Sequence, residues 1–136
     1  AMIALSDALE KTGASELYAR VFLSLFSGLG PAYVLSGVIL LTSISTHVLS
    51  NNATAILLLP IAISAAQGLG VDPKPFIIAV CFGASACFAT PIGYQTNLLV
   101  YGPGGYRFSD YLKLGMPLNL LVLIMGSLFI PLLWPF

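Results

Sequence analysis

Long uncharged, mainly apolar stretches alternate along the chain with short polar knots. Residues 1–9 are largely apolar and stop at Lys11-Thr12-Gly13, a cation and a glycine of the kind at which helices end, so residues 1–13 read as the end of a membrane span. In residues 15–27, Glu16 and Arg20 stand among Leu17, Val21, Phe22, Leu25 and Phe26 at helical spacing, which predicts a helix lying along a membrane surface. Gly28-Leu29-Gly30-Pro31 breaks it. Residues 32–66 then carry two apolar runs around a polar point: Thr42, Ser43, Ser45, Thr46 and His47 lead into Ser50-Asn51-Asn52-Ala53-Thr54, and a second run containing Pro60 follows. That pattern predicts two helical arms meeting at a polar tip.

After a turn at Gly68 to Pro75, residues 76–102 form a stretch as long as one tilted span with its middle broken. The apolar run Phe76 to Ala89 stops at Thr90-Pro91-Ile92-Gly93-Tyr94-Gln95-Thr96-Asn97 and resumes at Leu98. A glycine-rich loop, Gly102 to Gly105, precedes the last span, residues 110–134, with Ser109-Asp110 as its expected N-cap. Tyr111 and Trp134 sit at its two ends, where interfacial aromatics belong.

Charge sharpens this picture. Five basic and five acidic residues make up 7% of the 136 residues, against roughly 25% in ordinary soluble domains. They fall into three groups, Asp7 to Arg20, Asp72 with Lys74, and Arg107 to Lys113. Each stretch between or after them exceeds the ~20 residues that one crossing needs, so an integral membrane protein is predicted. The formal net charge is zero and no basic run exists, which excludes a nucleic-acid partner. Cys81 and Cys87 lie among Gly83, Ala84, Ser85 and Ala86 and read as packing residues. The chain opens without a basic region or cleavage site and reads as cut from inside a longer protein.

The candidate chemistry sits in the two polar clusters, Ser50 to Thr54 and Thr90 to Asn97. Unpaired backbone groups cost several kcal/mol in hydrocarbon, so helix breaks at depth are tolerated only where they are buried or line a watery cavity. At such a break one half-helix offers N–H groups to an anion while another offers carbonyl oxygens to a cation. Hydroxyls and amides serve either polarity, and none of the clusters holds the carboxylate of a proton-relay pump. Tyr94 and Gln95 either line the cavity or fill the break. His47 reads as a hydrogen-bonded packing residue, and with no Asp, Glu or Cys at ligand spacing there is no metal centre or enzyme signature.

At these clusters the sequence resembles the divalent-anion/sodium symporter family, within the wider superfamily of ion transporters that share a citrate-transporter-like domain. The carrying residues are Leu49-Ser50-Asn51-Asn52-Ala53-Thr54-Ala55 with the run to Pro60, and Ala89-Thr90-Pro91-Ile92-Gly93-Tyr94-Gln95-Thr96-Asn97 with Leu98 to Gly102. The resemblance extends from about Leu5 to Leu132. It implies an all-α membrane protein that is half of an inverted-repeat secondary transporter: a re-entrant hairpin (32–66), a discontinuous transmembrane helix (76–102), an interfacial arm (15–27) and a last transmembrane helix (110–134). It further implies a multi-pass protein of a prokaryotic inner membrane, not an enzyme, acting as a homodimer and completed by an N-terminal repeat. Sodium is the expected coupling ion, no cofactor is expected, and the expected partner besides the lipid bilayer is a small inorganic or carboxylate anion.

Candidate anion-binding residues are Ser50, Asn51, Asn52, Thr54, Gln95, Thr96 and Asn97. Candidate cation-binding residues are Thr46, Leu49, Asn51, Tyr94 and Asn97. Two departures from the family pattern bear on the substrate. Asn52 stands where the commonest tip motif has Thr, and Gln95-Thr96-Asn97 stands where dicarboxylate carriers tend to have Thr-Pro-Pro-Asn. Sulfate and a dicarboxylate are therefore both open, as are an arsenite or other ion permease or exchanger of the same superfamily and a non-transporting membrane subunit.

Overall fold

The computed structural model describes residues 4, 7–8, 11–25 and 30–136, and the described residues form α-helices and no strand. Most of the expected span in residues 1–13, and residues 26 and 27 of the expected arm, lie outside the described residues. Gly13 takes a left-handed φ of 70° and separates the helical turn before it from α1, Ala14–Leu25. This is the stop expected at Lys11-Thr12-Gly13. α1 buries only the small residues Ser15 and Ala19 and packs on the later helix Asn51–Leu69, while Leu17, Tyr18, Val21 and Leu25 stay exposed.

The expected pair of helical arms is present. α2, Pro31–Thr46, starts with Pro31 in its first turn, where a missing N–H costs nothing. Its buried positions Val34, Val38, Thr42 and Thr46, together with Leu35, Ile39 and Ser43, recur every four residues and so line one face. α3, Asn51–Leu69, begins at the N-cap Ser50, whose hydroxyl accepts from the Ala53 amide (3.3 Å). It runs past the expected boundary at 66 because its stop signal lies later. Gly70 has φ 68°, the Gly70 amide donates to the Gln67 carbonyl and the Val71 amide to that of Ala66, a Schellman closure.

α4, Lys74–Ser85, lies against both arms. It ends four residues before the expected limit at Ala89, and the break covers 86–94. α5, Gln95–Tyr101, resumes the helix, so Gln95, Thr96 and Asn97 form its first turn and are not part of the unwound segment. Proline chemistry keeps the helix from continuing through the break. A helix continued through Pro91 would have no amide for the Cys87 carbonyl and would clash with it. Here that carbonyl accepts from Asn97 Nδ2 (3.1 Å).

α6, Phe108–Leu133, starts earlier than expected. Its N-cap is Arg107, not Ser109-Asp110; Asp110 sits in the first turn and its carboxylate accepts from the Arg107 amide (2.8 Å). By length and composition α3 and α6 can each cross a membrane, while α2 and α4 are shorter apolar helices. The core joins α2, α3, α4 and α6 through Val34, Leu35, Ile39, Ala62, Ala66, Phe76, Val80 and Ile130. In lipid such contacts stabilise by close packing more than by removal from water, which favours small residues at crossings. Gly83 shows this: a Cβ there would stand 2.8 Å from the Ile39 carbonyl oxygen and 2.9 Å from Thr42 Cβ.

Candidate functional site

The tip between α2 and α3 and the break between α4 and α5 meet, and Thr46 lies at their junction. Its side chain is fully buried, and its hydroxyl lies 2.7 Å from Asn51 Oδ1 and 3.1 Å from the Ala84 carbonyl oxygen. The Thr46 carbonyl accepts from Cys87 Sγ (3.2 Å), and the Cys87 carbonyl accepts from Asn97 Nδ2. A continuous polar path thus runs Asn51, Thr46, Cys87, Asn97. Asn97 Nδ2 also reaches the Thr90 carbonyl (3.4 Å), and the Thr90 hydroxyl donates to the His47 carbonyl (3.2 Å). Gly93 makes this closeness possible, since a Cβ there would overlap Cys87 Sγ and the Thr46 carbonyl oxygen.

Two helices present their C-terminal ends at this place. Beside the Thr46 bond, the Ser43 hydroxyl donates to the Ala86 carbonyl (3.1 Å), so the carbonyl ends of α2 and α4 lie side by side. Each carries the equivalent of about half a negative charge. The N-terminus of α3 opens at the same tip, and its first two amides, those of Asn51 and Asn52, have no intrahelical acceptor. The site therefore combines a negative and a positive pole with neutral oxygens and amides. No Lys, Arg, Asp or Glu enters its hydrogen bonds among the described residues.

The expected residues divide into three groups. Thr46, Asn51 and Asn97 are drawn together as described. Ser50 caps α3, and no described backbone donor reaches the Leu49 carbonyl, which sits in the turn before it. Thr54 is wholly buried, and its hydroxyl has no partner among the described residues. Asn52, Tyr94, Gln95 and Thr96 are exposed and stand outside the network.

Other members were not anticipated. Cys87 was expected only to pack, yet it bridges tip and break. Asn119 of α6 was not singled out at all. Its Oδ1 accepts from the Phe88 amide (3.3 Å) and its Nδ2 lies 2.7 Å from His47 Nε2. The signal was available, because Asn119 is the one amide in the uncharged run from Leu114 to Phe136. Tyr111, read as an interfacial aromatic, donates its hydroxyl to the Asn97 carbonyl (3.0 Å).

The profile described as "Citrate transporter" matches residues 1–135. An uncharacterized transporter of Escherichia coli is 41% identical over 135 residues, 99% of this chain and 22% of the relative. A protein of Chlamydomonas reinhardtii named sodium/sulfate cotransporter 1 is 34% identical over 128 residues, 93% of this chain and 14% of the relative. The Na(+)/citrate cotransporter of Rattus norvegicus is 31% identical over 118 residues, 87% of this chain and 20% of the relative. The chain thus spans about a fifth or less of the length of these relatives. With a match over nearly its whole length, two apolar helices long enough to cross a bilayer, and relatives named as sodium-coupled anion carriers, the chain is a membrane protein that belongs to the citrate transporter family.

Proposed function

We propose that this chain is the C-terminal repeat of a secondary active transporter that couples sodium to the uptake of a small anion, sulfate or a dicarboxylate. One observation carries the reading: the carbonyl ends of α2 and α4 and the amide end of α3 converge on Thr46 and Asn51 with no fixed charge among them. Carbonyl ends and unwound carbonyls suit sodium, and a helix N-terminus suits an anion. The names of the sodium/sulfate and Na(+)/citrate relatives support the same pair of ions.

In this reading α2 and α3 are a re-entrant hairpin and α4 with α5 is a discontinuous transmembrane helix. α1 lies along the interface, residues 1–13 end a preceding span, and α6 is the last crossing. An N-terminal repeat completes the cavity, in a multi-pass dimer of a prokaryotic inner membrane. The cation lies among Thr46, the Leu49 carbonyl, Asn51 and Asn97, near Tyr94. The anion lies over Ser50, Asn51, Asn52 and Thr54, with Gln95, Thr96 and Asn97 on its α5 side.

The coupling follows from electrostatics. One helix N-terminus offers about half a positive charge, so even two leave a dianion about one charge short, and a bound sodium reduces that deficit. The test is uptake of labelled sulfate and of succinate by the full-length parent, with and without sodium. Sodium-dependent uptake of either anion supports the proposal. Uptake of neither anion, with arsenite or another ion carried instead and no sodium dependence, refutes it.

A further inference from the structure

We infer that Asn119 is a positioning residue that ties the hairpin turn to the helix break, and so sets the geometry of the ion site; the inference rests on the sodium and anion reading above. Asn119 is the only described side chain of α6 that hydrogen-bonds to both elements. Its amide orientation is fixed by the backbone: the Phe88 N–H must donate, so the atom facing it is the acceptor Oδ1 (3.3 Å). The Nδ2 group is then the donor in the 2.7 Å contact with His47 Nε2. It follows that His47 accepts through Nε2 and is the neutral tautomer with its proton on Nδ1.

The two residues held this way flank the site. His47 follows Thr46 directly and its carbonyl accepts from Thr90; Phe88 follows Cys87, whose thiol donates to the Thr46 carbonyl. A shift of Phe88 relative to His47 therefore moves Cys87, Thr46 and Asn97 against one another. Gly115, one helical turn before Asn119 and on the same face, shows that α6 is seated for this purpose. A Cβ at Gly115 would overlap the Phe88 carbonyl and Ala89 Cα, so glycine lets the backbone of α6 come close enough for Asn119 to reach the Phe88 amide. Neither Asn119 nor His47 belongs to the proposed ligand set, so the role is exerted through the neighbours of the ligands.

The test uses the full-length parent with Cys87 kept and every other cysteine replaced by serine. Asn119→Leu removes both bonds, His47→Leu removes one, and His47→Gln supplies a carbonyl that can accept from Asn119. His47→Leu should raise the sodium half-saturation of uptake on the order of tenfold, the scale of one lost hydrogen bond, and Asn119→Leu at least as much, with maximal uptake per surface transporter held within about twofold. The double Leu variant should be no worse than Asn119→Leu alone, and His47→Gln should resemble the parent. Maleimide modification of the buried Cys87 should accelerate by a similar factor in Asn119→Leu, because its seal against Thr46 loosens.

If Asn119→Leu does not reach the membrane, the His47→Leu and His47→Gln pair reads the same bond from the other side. Unchanged sodium half-saturation and unchanged Cys87 reactivity overturn the inference, as do Leu effects that simply multiply in the double variant. A parent that transports without sodium refutes the symport reading, and the Cys87 rate then decides the positioning role by itself.

Discussion

Replacing Thr46 by Val keeps its shape and removes a hydroxyl that touches both Asn51 and the Ala84 carbonyl. The side chain is fully buried, so no solvent stands in for the lost group. Its single proton can serve Asn51 Oδ1 at 2.7 Å or the Ala84 carbonyl at 3.1 Å, but not both at once, so one bond is lost. Interhelical hydrogen bonds in membrane proteins average about 0.6 kcal/mol and reach about 1.7, which sets the sodium-free cost at roughly 1 kcal/mol. Sodium present at about a hundred times its dissociation constant would stabilise an intact site by about 2.7 kcal/mol. The sodium-dependent part is the larger, and it is the part that depends on Thr46 and Asn51 as ligands. Thermal unfolding of the purified full-length parent, with sodium and with choline, separates the two. Thr46→Val should lower the choline midpoint slightly and abolish most of the sodium-dependent rise, while Thr46→Ser, which keeps the hydroxyl, should retain that rise. A Thr46→Val protein with the full sodium-dependent rise would refute the placement of the cation at Thr46.

Asn51→Ala or Asn97→Ala in the parent should abolish uptake while leaving insertion intact, measured as labelled-anion uptake per surface transporter; normal uptake by both would remove the site. Gly93→Ala places a methyl against Cys87 Sγ and the Thr46 carbonyl, and overpacking of that kind costs about 1–3 kcal/mol, so its thermal midpoint should fall well below that of Gly102→Ala, whose Cβ meets nothing within 4 Å. The loop between α5 and α6 should be cytoplasmic, since Arg107 and Lys113 outnumber Lys74 at the preceding turn. A cysteine at Gly102 has the open space to report this that Gly104, crowded by Tyr106 and the Val100 carbonyl, lacks, and it should resist an impermeant thiol reagent applied to intact cells.

The two helices that meet at the polar tip and the interruption between α4 and α5 were legible in the chain because Ser50 to Thr54 and Thr90 to Asn97 are polar where a lipid-facing helix would be apolar. Their boundaries were not. The run from Phe76 to Ala89 is apolar but for Ser85, and α4 stops there because the carbonyls around its end are taken by Thr46 and Ser43 of α2, partners far away in sequence. The capping of α6 by Arg107 follows from Asp110 reaching back three residues, which the Ser109-Asp110 pair concealed. Of the expected residues, the structure draws Thr46, Asn51 and Asn97 together, while the helical turn of α5 leaves Gln95 and Thr96, next to Asn97 in sequence, exposed. Asn119 escaped because its bond to the Phe88 amide depends on the fit of Gly115 against Phe88, a contact that spacing along the chain does not encode.

The central claim is that a cation and an anion share the place where α2, α3 and α4 end or begin, so that each strengthens the binding of the other by the same factor. The direct measurement is the affinity of the purified full-length parent for sulfate and for succinate at equilibrium, titrated in sodium and in choline at fixed ionic strength, together with the affinity for sodium with and without the anion. The account predicts that sodium tightens binding of one of these anions and that the anion tightens sodium binding by an equal factor. Anion affinity identical in sodium and in choline would contradict it, and would place the compensating positive charge on a fixed residue outside this chain.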